Sequence, residues 1–340
     1  MLSSHNMSSH APAWTVSLQE FTERVLTWRK RRRHRKKEKQ KKKNVILDWL
    51  EAFLWAAGVV LLINQYLLQA YQIPSGSMMD TLLEGDRIFV NKLVYGPELL
   101  PGLLKLPGFR ETRRGEVIIF ENPEYQSRGT AFDIVQRVLY MVTLSIVDID
   151  RDEYGQPRAH FLIKRAVGVE GDRFRAREGE TEILLPGEPA WIDERSFAAS
   201  QGLDYQIRRI IPADTYELYP AAARAAARTD LGLPVDDVDE QAYQSIWVVA
   251  SNNRTYADPF EMARLRTEYL AKAAPHDPRV QQGCSYYSLG WYVPDGRILP
   301  LGDNRDDSKD GRYFGPVSRE NILGRAMFKY WPITRFGIVR

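Results

Sequence analysis

HFLIKRAVGVEGD, residues 160–172, sets a short run rich in Val, Ile and Phe between a histidine and a Gly-Asp turn. Such a run is too short for a good helix, and its β-branched and aromatic content suits an extended chain. The same texture recurs in RIFVNKLVYG (87–96), GEVIIFENP (115–123) and RAMFKYWPI (325–333), each bounded by Gly, Pro or charged turns. These runs predict a mainly β fold. Between about 175 and 290 the pattern changes. YPAAARAAARTDLG (219–232) and PFEMARLRTEYLAKAAP (259–275) predict helices, and YQIRRII (205–211) and SIWVVAS (245–251) read as strands beside them. An inserted α+β subdomain is expected there, after which the chain returns to the β core.

Upstream lies NVILDWLEAFLWAAGVVLLINQYLLQAYQ, in which Ala52 to Tyr71 is interrupted only by Asn64, Gln65 and Gln69. Twenty helical residues reach about 30 Å, the hydrocarbon thickness of a bilayer. Asp48 and Glu51 stand at its start, where they can reach the headgroups. Three readings compete: a membrane anchor, a cleavable signal peptide and a buried core helix. A signal peptide would need an n-region of over forty residues here, which favours the anchor. Residues 29–43 (RKRRRHRKKEKQKKK) hold twelve Lys or Arg against one acid, Glu38. This run accounts for the net charge of +3, and the rest of the chain is acidic. It reads as a topology signal that stays cytoplasmic, with everything after Tyr71 across the membrane, rather than as a nucleic-acid-binding surface. Trp14, Val16, Leu18, Phe21, Val25 and Trp28 fall roughly on one helical face, as an interfacial helix or a tail. The segment FDIVQRVLYMVTLSIVDID (132–150) is apolar in its middle but too short to span a bilayer; it reads as a core element or as a second contact with the membrane surface.

The single cysteine, Cys284, excludes an intramolecular disulfide and a Cys-based metal site, and no cofactor is implied. Three constellations could carry chemistry. Ser75-Gly76-Ser77, six residues beyond Tyr71 at its last position, is a tight turn able to present a hydroxyl close to a membrane surface. Lys164 interrupts an apolar strand, so it points either to solvent or into the protein; burial would disfavour its ammonium and make it a usable general base. LGDNRDDSKDGRYFGPV (301–317) is a dense polar loop whose short side chains can bond one another; it lacks the acid that closes an EF-hand calcium loop.

In this order, the three resemble the boxes of the bacterial type I signal peptidases, serine-lysine proteases that remove signal peptides. IPSGSMM looks like the nucleophile box, RRGEVIIF (113–120) like the next strand box, IKRAVGVEGD like the lysine box and GDNRDDSKDGRYFG like the last box. The resemblance implies Ser77 as nucleophile, Lys164 as general base, Ser75 with the Ser77 amide as oxyanion donors, and Ser308 as the hydroxyl that orients the lysine. It implies Arg165–Asp303 and Asp310–Arg312 pairs as a scaffold, and Tyr71, Ile73, Leu82 and Ile163 as walls for small side chains before the cleaved bond. The expected organisation is a cytoplasmic segment 1–43, an anchor 44–71, catalytic core 72–174 and 291–340, and the inserted subdomain 175–290. The expected location is the cytoplasmic membrane, single-pass, with the catalytic part on the outer side, acting on signal peptides of exported preproteins; the partners are those peptides and the lipid bilayer, with no nucleic acid, no metal and no assigned oligomeric state. Two departures stand out: Asp80 occupies a position where the family usually has proline, and residues 123–160 are long for the family, with no assigned role.

Other classes remain on the table. A Ser-His-Asp hydrolase would use His160 or His276, neither of which has a supporting motif, and HExxH is absent. A catalytically silent membrane-tethered binding protein on the same fold would be expected to lack Ser77 or Lys164.

Overall fold

The computed structural model describes residues 24, 27–28, 30–32, 45–100, 104–143, 147–153, 155, 158–250 and 253–340. Most of the expected helix or tail over residues 1–28, and most of the basic run 29–43, lie outside the described residues. Contacts divide the chain into two units, Met1–Val60 and Leu61–Arg340.

Helix α1, Val45–Tyr66, contains the stretch Asp48–Tyr66, which is long and apolar enough to cross a membrane and is 6% buried. The helix stops five residues short of the expected end of the anchor. Its polar end supplies the reason: the Asn64 side chain accepts from the Ala70 amide, and the Leu67 carbonyl accepts from the Lys92 amide. The chain therefore leaves the helix and enters β1, Leu68–Gln72, whose Ala70 and Tyr71 are buried.

The Leu61–Arg340 unit is built on one sheet. After β1 come β2 (Arg87–Asn91), the small hairpin β3–β4 (Glu98–Leu100, Leu104–Lys105), β5 (Val117–Glu121), helix α2 (Thr130–Val142) and β6 (Phe161–Gly168). The chain continues through β7 (Arg173–Arg177), β8 (Glu180–Leu184), β9 (Ile192–Asp193) and α3 (Glu194–Ser200) into helices α4 (Tyr219–Asp230) and α5 (Asp237–Ser245). A two-stranded pair, β10–β11 (Val248–Val249, Thr255–Tyr256), precedes α6 (Pro259–Ala273) and α7 (Pro278–Leu289). It closes with β12 (Trp291–Tyr292), β13 (Arg297–Leu301), α8 (Gly311–Phe314), β14 (Val317–Ser318), β15 (Ile322–Trp331) and β16 (Gly337–Ile338). The main sheet runs β1-β2-β15-β5-β6-β13-β14 with β16 on β15, antiparallel throughout. The fold is mainly β, as its short apolar runs require.

Alternation explains how this sheet is covered. Val117, Ile119 and Ile163 join Ile88, Val90 and Ala326 in one apolar cluster, whereas Ile118, Phe120 and Ala166 join Ile298 and Ile322 in another. The near-continuous apolar run of β5 is thus a strand buried on both faces. A second sheet, β12-β7-β8-β9, packs through Phe174 and Ile183, with Val293, Leu299 and Leu301 in the same cluster. The expected boundary at 174/175 falls inside β7. Helices α4 to α6 gather around Tyr219, Ala222, Ala242 and Ile246, where the alanines of α4 allow close approach.

Two segments depart from expectation. YQIRRII forms no strand; it makes one parallel bridge, Arg208 to Asn304, because its backbone is used to grip the polar loop described below. The 132–150 segment contains α2, with Asp133, Gln136, Arg137 and Tyr140 on one side of the helix and Ile134, Val135 and Val138 exposed on the other.

Candidate active site

Ser77 lies in a 3-10 turn, Gly76–Met78, entered from extended Ser75 (φ −146°, ψ 163°). The first amides of such a turn have no acceptor within it, so they are available to an incoming oxygen. Lys164 comes from the middle of β6, opposite Ile118 of β5. Its Nζ lies 2.6 Å from Ser77 Oγ, and both side chains are buried. Burial pushes the Lys164 amine down from its ordinary 10.5 to about 8, although the nearby Asp310 and Asp303 carboxylates pull it upward. A neutral amine at this distance can accept the hydroxyl proton. The Ser75 hydroxyl donates to Ser77 Oγ at 3.4 Å.

The 301–317 loop holds this pair from behind. Arg165 makes a two-point contact with Asp303, Nε to Oδ1 at 2.8 Å and Nη2 to Oδ2 at 2.6 Å, with both side chains almost fully buried. Thr81 Oγ1 donates to the same Oδ2 at 2.5 Å. Asp310 meets Arg312 through Nε at 2.9 Å and also accepts from the Gly302 amide at 2.9 Å. Burial alone would raise the Asp310 carboxyl, but the Arg312 guanidinium and the Gly302 amide more than offset it and hold the carboxyl below its usual value. Ser308 Oγ is buried and has no hydrogen-bond partner among the described residues, so the orienting bond to Lys164 expected of it is not made in this structure. It packs against Gly302, where an added Cβ would also stand 2.7 Å from the Ser77 carbonyl oxygen.

Several contributors are not among the residues picked out from sequence. Asn304 ties the loop to the nucleophile turn: its amide donates to the Ser77 carbonyl at 3.0 Å and its Nδ2 to the Gly76 carbonyl at 3.0 Å. Asp306 accepts from the amides of Ile210 and Ile211 at 2.6 and 2.9 Å and pairs with Arg209 at 2.7 Å. Arg305 pairs with Glu194 of α3 at 2.7 Å, both buried. Asn304, Arg305 and Asp306 all lie within GDNRDDS, so the density of that loop was the signal; the partners Arg209 and Glu194 carried none.

Asp80 has a physical role in the turn after Ser77. Met79 (φ −55°, ψ 146°) and Asp80 (φ +81°) occupy the centre of a type II turn closed by Thr81 N to Met78 O at 3.1 Å. Asp tolerates this left-handed geometry, and its carboxylate meets Arg208 Nη1 at 2.9 Å. Proline, fixed near φ −65°, cannot adopt it. The turn is therefore well formed, and Asp80→Pro is expected to destabilise the protein by about 2 kcal/mol and lower activity, whereas Asp80→Gly keeps both. Chemical denaturation of the two variants checks this.

A cleft of about 550 Å³ is lined by Tyr71, Ile73, Pro74, Ile163, Gln136, Tyr140 and His160, among others; Ile163 precedes Lys164 in β6, and neither Ser77 nor Lys164 is in the lining. Leu82 is fully enclosed in the same apolar cluster and does not line the cleft. His160 sits 2.9 Å from Asp150 through Nε2 and stacks on Tyr125, while the described partners of Ser77 Oγ are Lys164 and Ser75. His276 is exposed in the turn between α6 and α7. Among the described residues no cluster of acids, histidines and cysteines could hold a metal ion.

The signal peptidase I of Haemophilus influenzae is 27% identical over 292 residues, covering 83% of this chain and 68% of its own length. That of Aquifex aeolicus is 27% identical over 273 residues, covering 80% and 79%. A probable signal peptidase I-2 of Synechocystis is 51% identical over 47 residues, 14% of this chain and 22% of its own. The model of the family described as signal peptidase, peptidase S26, matches residues 46–202 and 231–331, well over half of the sequence, and the chain therefore belongs to that peptidase family.

Proposed function

We propose that this peptidase removes signal peptides from exported preproteins at the outer face of the cytoplasmic membrane, anchored by α1, with Ser77 as nucleophile and Lys164 as general base. The observation that carries the reading is the 2.6 Å contact between a buried amine and a buried hydroxyl. Neutral Lys164 takes the proton as Ser77 Oγ attacks the scissile carbonyl carbon. The Ser77 amide and the Ser75 hydroxyl stabilise the oxyanion. The carbon–nitrogen bond then breaks, and the leaving amine takes the proton from the Lys164 ammonium. Lys164 next deprotonates the water that hydrolyses the acyl-serine. Tyr71, Ile73 and Ile163 wall the cleft for the small residues before the bond, with Leu82 supporting them from beneath. Arg165–Asp303 and Asp310–Arg312 brace the loop, and the buried Ser308 hydroxyl is the group assigned to orient Lys164. The basic run stays cytoplasmic and residues 175–290 act as a subdomain gripping the loop.

The test is the pH profile of kcat/KM on a soluble signal-peptide substrate. Activity needs the unprotonated amine, so it should rise through an apparent pKa of about 8 and level off above it. Stability moves with the same sign: between about 8 and 10.5 the unfolded chain binds more protons at this residue, so the folded state gains with rising pH, by up to about 3 kcal/mol. Measuring unfolding alongside separates the two effects. A profile flat from pH 6 to 10 with the protein folded would sink the general-base assignment.

A further inference from the structure

Helix α2 is built inside out. An amphipathic helix of a water-soluble domain turns its apolar stripe to the core and its polar side to water. Here the polar side is docked: Asp133 accepts from Tyr125 Oη at 3.2 Å and Ser127 Oγ at 2.5 Å, Gln136 Nε2 donates to Asp148 at 2.9 Å, and Arg137 Nη2 donates to Glu121 at 2.6 Å. Gln136 is 2% exposed. The opposite face carries Ala131, Ile134, Val135 and Val138, all exposed, Val135 to 58%. At 100° per residue these four fall within one arc of about 100°, so the outward surface of the helix is an unbroken apolar stripe.

The fold also limits where this stripe can be. Tyr140 of α2 packs on Tyr71, ring centroids 6.3 Å apart, and Tyr71 lies five residues beyond the end of α1 at Tyr66. Five extended residues span roughly 17 Å. The helix is therefore tethered, through a strand and a ring contact, close to where the apolar stretch Asp48–Tyr66 ends. Chain-end proximity to a span and an outward apolar stripe over an inward polar face together select one occupant, lipid, over a second protein surface that would have to find the same place.

We propose that α2 is an interfacial helix, its Ile134–Val135–Val138 face lying in the outer leaflet at the boundary between headgroups and acyl chains, roughly 5 to 10 Å deep. The inference rests on the anchor reading for the choice of lipid as occupant and for which bilayer is meant. Its consequence is positional: Gln136 and Tyr140, from the docked side of the same helix, line one cleft with Tyr71, Ile73 and Ile163, so seating α2 in the leaflet would set that cleft at the depth where an apolar segment leaves the membrane. Residues 123–160, which had no role by resemblance, would then fix the height of the site.

The experiment uses the full chain in phosphatidylcholine–phosphatidylglycerol vesicles. In a Cys284→Ser background, single variants Val135→Cys, Val138→Cys, Val238→Cys and Val60→Cys carry a nitroxide, and collision with oxygen is compared with collision with a water-soluble nickel chelate. All four positions are at least 44% exposed, so labelling should leave the fold intact; far-ultraviolet circular dichroism and the thermal midpoint verify that it does. The expected result is oxygen-dominated collision at 135 and 138, as at 60 in the span, with chelate-dominated collision at 238. Chelate-dominated collision at 135 and 138 overturns the proposal, as does strong spin–spin broadening there, which would put a second copy on this face. Position 60 reads the anchor separately: lipid at 60 with water at 135 refutes only the inference, and water at 60 refutes the anchor while 135 and 138 still decide their own question. No arm relies on cleavage, so failure of the catalytic assignment would appear elsewhere.

Discussion

Lys164→Ala is expected to reduce preprotein cleavage to background, a loss of at least about 10⁴-fold in kcat, without unfolding the protein. The residue is buried and pushed down to about 8 by that burial, so the folded state bears a cost for its charge at neutral pH rather than gaining from it. Removing it should leave stability unchanged or raised, offset by a small cavity. Lys164→Arg is the sharper variant: a guanidinium keeps the positive charge but cannot be neutral near pH 8, so it should be as inactive as alanine. Activity in either variant near that of the wild type would mean that another group takes the Ser77 proton. His160 is excluded from that role if His160→Ala, which removes the contact to Asp150, leaves the pH midpoint in place.

Asp303→Ala is expected to cost about 3–5 kcal/mol and to abolish activity with it, because it leaves the Arg165 guanidinium buried without its counter-ion. The same carboxylate fixes Thr81, and Asn304 next to it holds the carbonyls of Gly76 and Ser77. Loss of Asp303 therefore loosens the loop and the nucleophile turn together. Arg165→Ala should be comparably damaging, and the double variant less than additive, since removing both charges abolishes the orphaned ion. Urea denaturation of the four proteins measures this coupling. Additive losses would show that the pair is not the brace of the loop.

Much of this was legible in sequence, for reasons that differ by residue. The strands could be read because Val-Ile-Ile-Phe in β5 has no polar alternation and suits a strand covered on both sides. Lys164 could not be read as buried from its strand alone; alternation leaves both faces open, and only its order among the motifs favoured the interior. The end of the anchor was misplaced by five residues because Leu67 to Tyr71 is as apolar as the helix before it; what ends the helix is a side-chain bond from Asn64 to Ala70, which hydropathy does not register. YQIRRII has strand composition, but its amides are taken by Asp306, nearly a hundred residues away, so the long-range polar partner overrides local propensity. The period of α2 was within reach of the sequence, but the side it turns inward was not, because the polar side found half-buried partners in Asp148 and Glu121.

The central claim is that Ser77 is the nucleophile of a signal peptidase. The most direct measurement incubates the full chain, in detergent and in vesicles, with a preprotein bearing small residues before its cleavage site, alongside the Ser77→Ala variant, and reads the new amino terminus by mass spectrometry. The expected result is a single cut after the small residue by the wild-type protein and none by the variant, with both proteins equally folded. Cleavage at the same bond by Ser77→Ala would contradict it.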